Sequence, residues 1–139
     1  MNLLAANEMK AFLGYQKLAL IAKANAYDEL ATFFLKEAAD ELAHYHQLAD
    51  FCVKQKIEIT FSLCECKIEG TTIRHLLEAA LALEKKIAEG ISSYYDGAKR
   101  EEQLFLDFFV QKQFESIAEY EHLLMREKLL GVIILNTLK

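Results

Sequence analysis

A glutamate and a histidine three residues apart, Glu41 and His44, are the most promising candidates for metal chemistry in this sequence. In a helix, that spacing places both side chains on the same face. Carboxylate oxygens with a single imidazole are ligands that suit iron or manganese, whereas structural zinc sites are rich in thiolates. Alone the pair is a weak signal, because a solvated Glu beside a core His gives the same pattern.

Three further polar residues interrupt apolar stretches elsewhere in the chain: Glu8, Glu84 and Gln113. Burying an unpaired carboxylate costs several kcal/mol, so a Glu within an apolar stripe needs a cation or a route to water. Together with Glu41 and His44, these residues predict one polar layer to which four separate helices contribute. Such a layer favours a metal site over a chance Glu-x-x-His pair.

Apolar residues at steps of three and four predict the four helices that must position this layer. The first runs from about Asn2 to Asn25, and the second has Asp28 as N-cap and ends near Val53. Thr71 or Thr72 can cap the third, which ends near Asp96-Gly97, and Gly131 is a suitable C-cap for the fourth. The predicted inward faces are Leu4, Glu8, Ala11, Tyr15, Leu18 and Ala22; Leu30, Phe34, Glu37, Glu41, His44 and Leu48; Leu77, Ala80, Glu84, Ile87, Ile91, Tyr94 and Ala98; Leu106, Val110, Gln113, Ile117, Tyr120 and Leu124.

The segment from Lys56 to Gly70 alternates apolar and polar residues, which is typical of an extended connection. Short links join the first helix to the second and the third to the fourth. The sequence therefore predicts an all-α, four-helix bundle with one long crossover between the second and third helices. We expect residues 1–139 to form a single domain.

Composition narrows the class of protein further. The chain has no Pro, only five Gly and a net charge of −5, with basic and acidic residues interspersed. No basic stripe is available for a phosphate backbone, so we expect no nucleic-acid partner. No uncharged stretch reaches the roughly 18 residues that span a bilayer, and no leader pattern is present at the N-terminus, so we expect a cytoplasmic protein without a membrane partner.

The three cysteines, Cys52, Cys64 and Cys66, form no Cys-x-x-Cys pair. An odd number in this arrangement argues against a disulfide framework and against a rubredoxin-type iron site. Cys64 and Cys66 could share one side of an extended segment and bind a soft metal, although simple packing is favoured.

The order and spacing of these polar residues resemble those of the non-haem ferritins over nearly the whole chain. The resemblance rests on Glu8, on Glu41-x-x-His44, on Glu84 within ALEKK at 82–86, and on Gln113 at the end of FLDFFVQKQ at 105–113. It implies a ferritin-like four-helix bundle that binds two iron ions (Fe2+/Fe3+), with manganese or zinc as substitutes. Glu8, Glu41 and His44 would hold one ion, Glu41 would bridge, and Glu84 and Gln113 would complete the second site.

The resemblance also implies an activity, namely ferroxidase oxidation of Fe2+ with O2 for iron storage or detoxification. Tyr15 matches a buried tyrosine beside the iron centre, where its hydroxyl would steady Glu84 or supply an electron. An aromatic core residue with a satisfied hydroxyl is an equally good interpretation of Tyr15. The implied partners are Fe2+, O2 or H2O2, and further copies of the chain in a homo-oligomer.

Two rival functions fit the same residues. A rubrerythrin-like peroxidase would keep the di-iron centre and consume H2O2, but the missing rubredoxin cysteines count against it. A metal-free helical scaffold or interaction module would pair its buried Glu residues with Lys or water. A second Glu-x-x-His pair, Glu119 and His122, lies out of phase with the inward face of its helix, so we expect it to be solvated.

Overall fold

Four long helices make up most of the described chain. The computed structural model describes residues 1–60 and 66–130, and within these residues it contains no strand. None of its helices is long and apolar enough to cross a membrane. The all-α prediction is confirmed, with helix ends close to those expected. The helices are α1 (Asn2–Ala24), α2 (Asp28–Lys54), α3 (Ile73–Asp96) and α4 (Arg100–Leu130).

The predicted helix caps have different outcomes. Thr72 caps α3 as expected, because its hydroxyl oxygen accepts a hydrogen bond of 3.1 Å from the backbone N–H of His75. Asp28 was wrong as an N-cap: it is the first helical residue, and Tyr27 occupies the cap position. Instead, the carboxylates of Asp28 and Glu29 lie in the first turn of α2, where they interact favourably with the positive end of the helix dipole. Gly131 lies outside the described residues.

The connections between helices follow the predicted order. Residues 25–27 join α1 to α2, and residues 97–99 join α3 to α4. The connection from α2 to α3 is long, and its described parts, 57–60 and 66–71, are neither helix nor strand. Residues 61–65 of the predicted extended connection lie outside the described residues. The bundle with a single long crossover between α2 and α3 is therefore confirmed.

The buried apolar residues form two clusters at opposite ends of the bundle. One joins the C-terminal half of α1 to the N-terminal halves of α2 and α3, with Tyr15, Phe34, Leu77 and Tyr120 among its members. The other joins the N-terminal half of α1 to the C-terminal halves of α2 and α3. This arrangement makes α1 antiparallel to both α2 and α3, which run parallel to each other. Polar side chains occupy the level between the two clusters.

The predicted inward faces agree closely with burial in α1 and less closely in α4. All six residues predicted for α1 are buried. In α4, Leu106, Gln113 and Tyr120 are buried as expected, but Phe109 and Leu123 take the buried positions expected for Val110 and Leu124. These are corrections of one residue in helical phase, and they leave the polar layer in place.

Candidate metal centre

Five buried polar side chains from the four helices form the layer between the two apolar clusters. None of them exceeds 7% exposure, and Glu84 is completely buried. Each position continues the helical periodicity of its apolar neighbours, so helix formation alone turns these side chains inward. The members are Glu8 on α1, Glu41 and His44 on α2, Glu84 on α3 and Gln113 on α4.

Glu8, Glu41 and His44 lie together on one side of the layer. One potential ligand atom from each lies within 4.8 Å of the others. The Nδ1 atom of His44 is 3.8 Å from Glu8 Oε2 and 3.8 Å from Glu41 Oε1. That nitrogen, both oxygens of Glu8 and Oε2 of Glu41 are buried without a hydrogen bond to any other described residue. Buried polar atoms are rarely left so, which indicates that a cation belongs among them.

A second group adjoins the first and shares Glu41 with it. Ligand atoms of Glu37, Glu41 and Glu84 lie within 4.8 Å of one another. Glu37 was predicted on the inward face of its helix but not among the metal ligands. The available signal was its spacing of four from Glu41, which brings the two carboxylates side by side on α2.

Glu84 is held in place by two neighbouring helices. The hydroxyl of Tyr15 donates a hydrogen bond of 2.6 Å to Glu84 Oε1. The Nε2 atom of Gln113 donates to Glu84 Oε2 at 2.8 Å and to the backbone oxygen of Glu84 at 3.1 Å. Both oxygens of this carboxylate therefore have donors, which fixes its orientation toward Glu41. Tyr15 itself packs between the rings of Phe34 and Tyr120, with centroids 6.0 and 6.5 Å away.

Burial makes negative charge costly in this layer. It raises the pKa of Glu41 to about 8, with the neighbouring Glu8 adding to the effect and His44 opposing it. Burial and nearby carboxylates also raise the pKa of Glu37 to about 8. The pKa of Glu84 rises to about 7, since burial and Glu41 outweigh the hydrogen bonds that Tyr15 and Gln113 donate.

The pKa of His44 is raised, which is the direction that the neighbouring carboxylates favour. Burial lowers its pKa, but the nearby carboxylates of Glu41 and Glu8 outweigh burial and raise it to about 10. A proton on His44 thus compensates part of the acidic charge in the metal-free protein. A bound divalent cation would replace that proton and the protons on the carboxyl groups.

The donor set fits a hard or borderline divalent metal. Carboxylate oxygens dominate, with one imidazole nitrogen and no described cysteine in the layer, a combination that suits iron or manganese. The shared carboxylate allows two ions to lie close together, with Glu41 between them. Two ions bridged in this way can act on one substrate together.

Other residues considered from the sequence lie outside this layer. Glu119 and His122 are exposed on α4, as expected for a solvated pair. Cys66 lies half-buried in the crossover, away from the five residues, and Cys52 is buried in the apolar cluster at the other end of α2. Cys64, the other half of the proposed soft-metal pair, falls outside the described residues.

Comparison with known proteins adds the family. A search of curated proteins found no match. The apo-ferritin of Pseudo-nitzschia multiseries is similar in structure, with a TM-score of 0.87 at 19% identity over 99% of this chain and 92% of that one. A PmFTN variant soaked in iron for 3 h gives a TM-score of 0.87 at 18% identity over 98% and 92%. Another, soaked overnight, gives 0.84 at 19% over 91% and 85%.

These structures share the fold with this chain, and their low identities carry no more than that. The family model described as the ferritin-like domain matches residues 1–130, which is nearly the whole chain and includes every member of the polar layer. The chain therefore belongs to the ferritin-like family.

Proposed function

We propose that this protein is a ferroxidase, which binds two Fe(II) ions side by side in the polar layer and oxidises them with dioxygen. The observation that carries the proposal is the position of Glu41 in both groups of potential ligands. A carboxylate shared between two groups is the arrangement that a pair of cooperating ions requires.

The residues divide into two sets of ligands. Glu8 and His44 bind the first Fe(II), and Glu37 and Glu84 bind the second, with Glu41 between them. Gln113 orients Glu84 and supplies its amide oxygen beside the second ion. Tyr15 holds Glu84 from the other side through its 2.6 Å hydrogen bond, which makes it a positioning residue.

The chemistry needs two electrons for each dioxygen reduced to peroxide. Two Fe(II) supply one electron each, two protons are taken up, and the products are two Fe(III) and H2O2. The protein contributes geometry, holding the ions about 3.5 to 4 Å apart in a site shielded from water. The Fe(III) then hydrolyses to ferric oxide, which supports a role in iron storage or detoxification.

One structural feature weighs against the metal-free scaffold, and one measurement tests the peroxidase alternative. Among residues 1–60 and 66–130, no Lys or Arg forms an ion pair with Glu8, Glu41 or Glu84, which weighs against a metal-free scaffold whose buried Glu residues pair with Lys. For a peroxidase, the discriminating measurement is a comparison of the two oxidants, since H2O2 would then oxidise the bound Fe(II) faster than O2.

The partners that we propose are Fe2+, O2 and further copies of the chain, which carries exposed apolar side chains such as Leu20 and Phe114.

Stopped-flow mixing of the metal-free protein with Fe(II) in aerated buffer tests the proposal. We expect the Glu41→Ala variant to oxidise Fe(II) no faster than protein-free buffer, because both ions lose their shared ligand. The Asp50→Ala variant is the matched control, since Asp50 is an exposed carboxylate on the same helix. Wild-type rates in a folded Glu41→Ala variant would reject the proposed centre.

A further inference from the structure

The hydroxyl of Tyr120 on α4 is a buried polar group to which the proposed reaction gives no role. Tyr120 is only 1% exposed, and its hydroxyl makes no hydrogen bond to any residue within 1–60 and 66–130. Buried polar groups are seldom left without a partner, because each one loses its hydrogen bonds to water. The hydroxyl therefore indicates an acceptor that comes within reach only in another state of the protein.

Aromatic contacts on two sides fix the ring that carries this hydroxyl. The ring of Tyr15 stacks on that of Tyr120, with centroids 6.5 Å apart and planes 19° from parallel. The ring of Phe33 on α2 meets Tyr120 edge-on, with centroids 5.9 Å apart. A ring held in this way presents its hydroxyl in a defined position without needing a hydrogen bond to do so.

Glu37 is the carboxylate best placed to meet this hydroxyl. It follows Phe33 by four residues, so on α2 it lies one turn beyond the ring that contacts Tyr120, on the same face. Burial raises the pKa of Tyr120, and among the neighbouring charges that of Glu37 adds most to the effect. The charge on Glu37 thus acts on Tyr120 more strongly than that on any other residue.

The two outer carboxylates of the second group of ligands are held very differently in the metal-free protein. Both oxygens of Glu84 have donors, one of them Tyr15 and the other Gln113. Glu37, whose ligand oxygen lies within 4.8 Å of those of Glu41 and Glu84, accepts no hydrogen bond from a described residue. An unpartnered donor on α4 and an unheld acceptor on α2 therefore lie close to the same group.

We propose that Tyr120 is a positioning residue for Glu37, to whose carboxylate its hydroxyl donates a hydrogen bond once a metal ion has bound in the second group. The inference rests on the proposed function, which assigns Glu37 to the second Fe(II). Glu37 is half-buried in the metal-free protein, and binding an ion beside Glu41 and Glu84 draws its carboxylate further into the bundle. One of its two oxygens then binds the ion while the other accepts the hydrogen bond. Tyr120 thereby holds Glu37 as Tyr15 holds Glu84.

Calorimetric titration with Zn(II), which O2 does not oxidise, tests the assignment. In Tyr120→Phe we expect the first equivalent to bind as in the wild type and the second to bind roughly 10- to 100-fold more weakly, the usual effect of losing a donor that orients a metal ligand. Tyr27→Phe is the matched control, because Tyr27 packs against the same apolar cluster but lies roughly 15 Å along α2 from Glu37. An unchanged second equivalent in Tyr120→Phe, or an equal loss in Tyr27→Phe, would overturn the proposal.

A double-mutant cycle with Glu37→Ala separates positioning from packing. Once the acceptor is gone, Tyr120→Phe should change the affinity for the second equivalent less than about twofold. An equal loss in both backgrounds would show that Tyr120 acts through packing, which overturns the inference and leaves the proposed function intact. If Glu37→Ala itself leaves the second equivalent unchanged, Glu37 is not a ligand, and the assignment of ligands fails together with the inference.

The near-ultraviolet absorbance of tyrosine gives a signature that a purely structural role would not produce. A phenol that begins to donate to a carboxylate absorbs at longer wavelength, so saturation with the second equivalent of Zn(II) should produce a red-shifted difference spectrum. That difference should be absent from a folded Tyr120→Phe variant and retained in Tyr27→Phe. A difference of equal size in Tyr120→Phe would contradict the proposed hydrogen bond.

Discussion

Replacing Tyr15 with Phe tests how the protein holds the carboxylate of Glu84. The change removes only the hydroxyl that donates to Glu84 Oε1 at 2.6 Å. The ring remains, so its packing against Phe34 and Tyr120 is kept and no large cavity forms. Any loss of stability therefore reports on the hydrogen bond.

The expected magnitude follows from the charge and burial of the acceptor. A hydrogen bond to a charged group contributes roughly 1.5–3 kcal/mol, and Glu84 is completely buried, so water cannot replace the lost donor. We expect Tyr15→Phe to lower the free energy of unfolding of the metal-free protein by about 2 kcal/mol when Glu84 is ionised. At roughly 3 °C per kcal/mol, that is a fall in Tm of about 6 °C.

The effect should depend on pH with a definite sign. The hydroxyl of Tyr15 lowers the pKa of Glu84, which burial otherwise raises to about 7. Removing it raises that pKa further, so the folded variant binds more protons than the folded wild type. The destabilisation should thus reach its full value only above the raised pKa of the variant and shrink as the pH falls through 7.

Urea unfolding of metal-free variants at pH 8.5 and 5.5 measures the effect. Tyr95→Phe is the matched control, because its hydroxyl donates to Asp107 at 2.7 Å on the exposed surface, where water can take its place. We expect that control to change the free energy of unfolding far less than Tyr15→Phe does, because water replaces the lost partner. In a double-mutant cycle with Glu84→Gln, the coupling should be about 1–2 kcal/mol. Additive losses at Tyr15 and Glu84 would refute the reasoning.

Two further predictions concern the carboxylates of the layer. Calorimetric titration of the Glu37→Gln variant with a redox-inert divalent metal should show the first equivalent bound tightly and the second bound at least tenfold more weakly than in the wild type. The reason is that only the second group of ligands contains Glu37. Equal weakening of both equivalents would contradict the division into two groups. The Tm of the metal-free protein should fall as the pH rises from 5.5 to 8.5. Burial raises the pKa of Glu37 and Glu41 from 4.5 to about 8, so over this range the folded state binds more protons than the unfolded chain. A Tm that rises over this range would contradict the prediction.

The helices and most members of the layer could be predicted because helical periodicity is a local property. In α1, steps of three and four alone identified the buried face that includes Glu8 and Tyr15. In α4 the pattern was ambiguous, since Phe108 and Phe109 are adjacent and either could turn inward. The packing of α4 decides for Phe109, which is 2% exposed against 51% for Phe108.

Features that depend on contacts between distant segments could not be predicted from the sequence. Glu37 is only half-buried, and its place beside the layer follows from the approach of Glu84 on another helix. The position of Cys66 likewise depends on a contact between distant segments, because Lys17 on α1 donates a hydrogen bond of 2.7 Å to its backbone oxygen. Periodicity within one helix contains no information about either approach.

The division of the apolar core into two clusters has a consequence for how such a protein can evolve. A layer of leucines at the level of Glu8, Glu41 and Glu84 would merge the two clusters and remove several costly buried charges. Such a chain would be more thermostable, but it would lack the carboxylates of the polar layer. Under the proposed ferroxidase function, the acids between the clusters mark a level at which selection for stability is opposed by selection for activity. Thermostable variants of this protein should accordingly carry their changes toward the two ends of the bundle.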